Sequence, residues 1–158
     1  MAWYRNHYTC PRCCKDWSQE WSTKAPDDCP RCGAPHVAPW QSPEISAPLH
    51  EAKIKKIARL NDRLRRSLEG GEVIMTATVD ALPEGVKARA VTEMVTFDKF
   101  TVQNDPYGEH DFGSFEVNGH QFLWKIDYYN AQCLCASEDP SDPEKTTRVL
   151  TLMLAQDY

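Results

Sequence analysis

Four cysteines near the start of the chain have the types and spacing of a metal site. They run Cys10-x2-Cys13, fifteen intervening residues, then Cys29-x2-Cys32. A CxxC turn offers two thiolates from one knuckle. Two such knuckles supply the four soft ligands of a closed tetrahedral zinc site, which leaves no open position for a substrate. The expectation is one structural Zn²⁺ held by Cys10, Cys13, Cys29 and Cys32. Both knuckles read CPRC, with Arg12 and Arg31 placed to offset the negative charge of four thiolates. Gly33 after the second knuckle suits a left-handed residue, whereas Cys14 holds the equivalent place after the first. Seven cysteines in all, an odd number, argue for metal rather than disulfides.

A second cluster, NDPYGEHDFG at residues 104–113, packs three acids and a histidine between apolar flanks. The sequence that follows, SFEVNGHQFLWKIDYY, reads as a hairpin with Asn118-Gly119 as its two-residue turn. That turn sets Val117 opposite His120, Phe115 opposite Phe122 and Gly113 opposite Trp124. It puts Val117, Phe115, Phe122, Trp124 and Ile126 on one buried side. Carrying the register two steps further sets His110 opposite Asp127. A histidine beside an aspartate could act as a general base with its orienting carboxylate, and Asp111 could add a metal ligand. Against this, no nucleophile is adjacent. Aspartates before prolines and glycines are ordinary turn formers, and a His-Asp pair that only fixes a loop has the same pattern. Cys133 and Cys135, with His120 near, could also bind metal, although strand cysteines usually just pack.

These residues need elements to position them. Residues 1–42 form the zinc ribbon, with Trp17, Trp21 and Trp40 expected as its small core. The proline-rich stretch 43–51 is expected to be a linker. Residues 52–158 form an α+β domain opened by a basic amphipathic helix, in which Ile54, Ile57, Leu60, Leu64 and Leu68 make one apolar stripe. Lys55, Arg59, Arg63 and Arg66 lie off the stripe with Lys53, Lys56 and Arg65. They are the candidate partner-binding residues, against the plain alternative of a solvated face. A strand is expected at 73–79 and a helix from Pro83 to about 96. A last helix is expected over 143–156, capped by Ser141 or Asp142 and burying Val149, Leu150, Met153 and Leu154. The fold class is α+β, a small ribbon followed by a compact antiparallel sheet with helices on one face.

Charge is unevenly shared. Residues 1–45 carry five basic and five acidic groups, residues 46–69 seven and three, and residues 70–158 six and fifteen. The neutral ribbon has no nucleic-acid footprint of its own, which makes a sequence-reading DNA regulator the weakest functional class. No run reaches the length of a membrane span and the first residues lack a secretory pattern, so a cytoplasmic protein is expected.

The motifs NDRLRRSL, NDPYGEHDFGSFEVNG, FLWKIDYY and TTRVLTLMLAQDY, in that order over residues 52–158, resemble an uncharacterised bacterial domain-of-unknown-function family of proteobacterial plasmids and other accessory DNA. WYRNHYTCPRC through CPRCGAPHVAPW resembles a zinc-ribbon leader fused to accessory or phage proteins. The resemblance implies a mobile genetic element and its contest with host defence. The expected function is therefore non-enzymatic binding of a host protein or nucleoprotein complex, most concretely as an anti-defence inhibitor of the anti-CRISPR or anti-restriction type. Two alternatives stay open. One is a nucleic-acid-binding accessory protein acting through the basic helix, and the other is a small enzyme using His110 and Asp127.

Overall fold

The computed structural model describes residues 2–158, which form two sheets bridged by one long helix. In the first sheet β1 (Trp3–Thr9) and β2 (Asp16–Trp21) make an antiparallel hairpin, and β3 (Glu44–Ile45) pairs with the other edge of β1. Its core is small: Tyr8, Cys10, Trp17, Cys29, Ala34 and Val37. The Tyr8 and Trp17 rings stack 5.0 Å apart. Trp21 is half-buried, and Trp40, expected in this core, is 66% exposed. The chain around Trp40 is pinned alongside β1, with its N–H donating to His7 O at 2.9 Å, and its ring leans on His7 at the surface.

The stretch expected as a linker, 43–51, is structured. Its prolines fall where no N–H is needed: Pro43 offers its carbonyl to Arg5 N–H, and Pro48 lies in the first turn of a helix. That helix, α1 (Ala47–Ser67), therefore starts five residues before the expected position 52. It buries Ile57 and Leu64 as the stripe requires, with Ile54 and Leu60 half-buried. It ends at a left-handed Leu68, whose N–H closes on Leu64 O at 2.8 Å and whose side chain is exposed.

The second sheet has the order β4-β7-β6-β5. The hairpin of β5 (Phe112–Val117) and β6 (His120–Tyr129) has the expected register, from Val117↔His120 to Phe112↔Lys125. β4 (Glu72–Met75) is shorter than the expected strand, because the chain turns into a helical turn, α2 (Ala77–Asp80), that buries Val79. α3 (Glu84–Thr96) follows Pro83 as expected and buries Val86, Ala90 and Met94. The expected last helix is instead β7 (Thr147–Leu154), antiparallel to β6 on one side and parallel to β4 on the other. It is paired with β6 along its whole length and with β4 over Val149–Leu152, and the β-branched residues Thr147, Val149 and Thr151 favour extension. Leu64, Met94, Phe122, Trp124, Ile126, Leu150 and Leu152 share one core between the helices and one face of the sheet. The fold is α+β, with a mixed sheet and an N-terminal cluster of four cysteines. No helix among the described residues is long and apolar enough to cross a membrane.

Candidate functional site

The two cysteine knuckles repeat one backbone pattern. Cys14 N–H donates to Cys10 O and Gly33 N–H to Cys29 O, both at 2.9 Å. The closing residues are both left-handed, Cys14 at φ 54° and Gly33 at φ 67°. The first knuckle thus places a side chain where glycine is favoured, a local cost the sequence foreshadows. Sγ of Cys10 lies 3.6 Å from that of Cys32, and Sγ of Cys13 lies 3.7 Å from that of Cys29. All four sulfurs fall within 4.8 Å of one another, close enough to hold one metal ion. Burial pushes the Cys10 thiol up, but N–H donors from Cys13 and Arg12 and the neighbouring thiols outweigh it and bring it to about 6. Cys133 is exposed, and Cys135 is half-buried, accepting from Asn130 Nδ2 at 3.2 Å. Neither joins His120 in a ligand group among the described residues.

In 104–113 the geometry corrects the expected pair. Asp105 builds the turn: its carboxylate accepts the N–H groups of Glu109 (2.9 Å) and His110 (3.2 Å). The ladder ends where Ile126 N–H meets Asp111 O. His110 then takes a left-handed φ of 55°, which swings its ring out of register. Its Nδ1 meets Asp62 of α1 at 3.0 Å, not Asp127, and its Nε2 lies 3.8 Å from Asp105. The ring stacks on Phe100 at 3.9 Å and 3°. Asp127 is paired with Lys125 at 2.8 Å. An imidazole hydrogen-bonded to a carboxylate at Nδ1 and stacked on a phenyl ring is held in place.

Behind it lies a buried network that pattern reading missed. Asn61 donates to Tyr128 Oη (2.7 Å) and Glu109 O (2.9 Å) and accepts from Arg148 Nε (2.9 Å). Tyr128 in turn donates to Glu109 Oε2 at 2.9 Å. Arg65, expected among the solvated cations, has 0% exposure. It donates to the carbonyls of Met94 and Val95 at the end of α3 and pairs with Asp62 at 2.8 Å. A signal for these residues exists: Asn61 and Arg65 fall on the apolar stripe, four residues after Ile57 and one after Leu64.

The acids of this region titrate in opposite senses. Burial raises the Asp62 carboxyl, but Arg65 and His110 more than offset that and hold it low. Its stabilising effect is present above the ordinary aspartate range and is lost as pH falls through the lowered value. Burial first, then neighbouring acids, raises Glu109 and Asp111, so each takes stability away as pH rises through its own range. Glu109→Gln keeps an acceptor for Tyr128 and removes the charge. It is expected to raise the melting temperature at neutral pH, with the difference from the parent shrinking as pH is lowered. Melting curves that differ equally at every pH would contradict this.

The outward side of α1 carries Lys55, Lys56, Arg59, Arg63 and Arg66, all exposed. Arg63 alone of these has a carboxylate within ion-pair distance among the described residues, Glu69 at 3.6 Å. Lys53 is engaged elsewhere, with Glu20 and Asp139.

Residues 75–157, more than half of the chain, match the family described as a protein of unknown function, DUF3768. No curated protein and no solved structure matches the chain. The match opens at the last residue of β4 and leaves out the four-cysteine sheet and α1.

Proposed function

The chain belongs to the DUF3768 family, and we propose that this member is a non-enzymatic binding protein whose α1 meets the phosphate backbone of a nucleoprotein complex. One observation carries the reading. Five exposed cations, Lys55, Lys56, Arg59, Arg63 and Arg66, stand on the outward side of one helix in a chain of net charge -5. They extend over about 16 Å of helix axis at 1.5 Å per residue. Lysine and arginine without asparagine or glutamine among them suit phosphate contacts that position a protein, rather than contacts that read bases. The pairing of His110 with Asp62 and of Asp127 with Lys125 favours this over an enzyme built on His110 and Asp127. The more specific form, an anti-CRISPR or anti-restriction inhibitor from a mobile element, draws on the motif resemblance to plasmid and accessory-DNA families.

We also infer that the ion is zinc, in a structural role. Four thiolates at about 2.3 Å from a tetrahedral Zn²⁺ lie about 3.8 Å apart, and the sulfur pairs at 3.6 and 3.7 Å come close to that spacing. Seven cysteines, none in a disulfide among the described residues, fit a reducing compartment such as the cytoplasm.

The test is binding to a labelled oligonucleotide duplex by fluorescence anisotropy over a salt series. With four or five phosphates neutralised, log K is expected to fall against log salt with a slope of about -4. Replacing Lys55, Arg59, Arg63 and Arg66 together by Glu should abolish binding and leave the melting temperature nearly unchanged. Unaltered binding by that variant, or none by the parent, would overturn the proposal.

A further inference from the structure

The two sheets meet across a joint of one residue. β3 ends at Ile45 in the first sheet and α1 begins at Ala47, so Ser46 alone separates a strand of one module from a helix of the other. Beside this joint lies a cleft of about 580 Å³, with Trp3 and Glu20 on one wall and His50, Lys53, Tyr107 and Glu109 on the other. Much of what ties the walls together is ionic. Glu20 of β2 takes Arg5 of its own sheet at 2.9 Å and Lys53 of α1 at 3.0 Å. Lys53 also reaches Asp139, in the loop after β6, at 3.3 Å. Lys15 pairs with Glu138 of the same loop.

His50 is the unsatisfied member of this seam. Its ring stacks on Trp3 at 3.9 Å and 24°, and its Nδ1 stands 3.6 Å from Glu20 Oε2, too far for a hydrogen bond. Neither ring nitrogen has a hydrogen-bond partner, and both are shut off from solvent. A neutral imidazole so placed carries the desolvation cost of two polar atoms with nothing in return. Protonation would set a charge against the carboxylate oxygen that Arg5 and Lys53 leave free, since both of those bond to Oε1. The charged groups around His50 are Glu20 from β2, Arg5 from β1 and Lys53 from its own helix. Asp139 pairs with Lys53, and Glu109, Glu138 and Lys145 line the same cleft. Burial opposes ionisation of Glu20, but Lys53 and Arg5 keep its carboxyl below the usual range, so the acceptor stays charged.

We propose that His50 and Glu20 form a proton-operated latch across Ser46, which closes the cleft when His50 is protonated and lets it open when either partner is lost. The latch would set how far the four-cysteine module can swing from α1, and with it access to the half-buried Glu109.

Leu49 and His50 N–H groups both bond Ser46 O, so their exchange with deuterium reports on the joint. The measurement is exchange at these amides, corrected for intrinsic rates, between about pH 7.5 and 6, where an imidazole ordinarily titrates. Amides of α3 serve as the internal reference. The parent chain should show protection at the joint that rises several-fold toward the lower pH while α3 is unchanged. His50→Gln should abolish that rise, and Glu20→Gln should lower protection at both pH values. The same pH response in His50→Gln would overturn the latch, and so would full protection in Glu20→Gln. His50→Gln removes the ring stacked on Trp3 but changes no residue of β1 or β2, and only loss of the pH response, not a uniform drop in protection, supports the latch.

Discussion

Removing the metal with a chelator is expected to unfold the four-cysteine sheet and leave the second sheet intact. The buried core of that module is six residues, two of them cysteines. A core so small cannot offset the conformational entropy of ordering some forty residues, at about 1–2 kcal/mol each. A structural metal supplies on the order of 10 kcal/mol or more, which is folding energy when no preformed site exists without it. Cys29→Ser, which removes a buried ligand, should have the same effect as chelation. The check is hydrogen exchange. Amides of β1 and β2 should lose protection while those of the β5–β6 hairpin keep it. A first sheet that stays protected after metal analysis shows no bound ion would refute a metal-dependent fold.

Arg65→Ala should be the most damaging single change in the second module. The guanidinium has 0% exposure, caps two carbonyls of α3, pairs with Asp62 and lies over the Phe100 and Trp124 rings at 5.5 and 5.3 Å. Removing it takes a donor from the Val95 carbonyl, leaves the Met94 carbonyl with only the long 3.4 Å bond from Phe97 N–H, and takes away the buried partner of Asp62. Breaking a buried pair from one side costs about 3–5 kcal/mol. In a chain of this size each 1 kcal/mol corresponds to about 2–4 °C, so the melting temperature should fall by roughly 6–20 °C. Arg66→Ala, one residue away on the exposed side, should change it little. Equal effects from the two would show that Arg65 is not held as described.

Local chemistry made part of this fold legible. Asn118-Gly119 admits one hairpin register, and the ladder from Val117↔His120 follows from it. Pro83 and the spacing of Val86, Ala90 and Met94 define α3. The CPRC pairs mark the four cysteines that come close enough to hold a metal ion without any knowledge of the rest. What was hidden depends on residues far apart in the chain. Asp62 meets His110 across 48 positions, which no register argument within a hairpin can reveal. Arg65 looked like one more cation in a basic run, because burial of a charge is decided by the carbonyls it reaches on another helix. β7 reads as a helix in the sequence because its burial alternates only over Arg148, Leu150 and Leu152 and then becomes continuous. Leu152, Met153 and Leu154 are buried in succession, and Val149, Leu150, Met153 and Leu154 fit a helical period as well as a strand. The proline-rich stretch was read as a linker from composition alone, although two of its residues complete the first sheet.

The parallel pairing of β4 with β7 has a consequence for the order of events in folding. Val73 aligns with Leu150 and Met75 with Leu152, so this edge pairing joins segments more than seventy residues apart. Of the two strands with partners on both sides, β6 and β7, the second is also the last of the sheet to be synthesised. A growing chain can close the β5–β6 hairpin and wind α1 and α3 early, since both need only neighbours in sequence. Until β7 arrives, one edge of β6 and the facing edge of β4 stand unpaired, with Ile126 and Trp124 uncovered beside them. During synthesis that gap is the point at which the chain is open to pairing with the wrong strand, its own or another's.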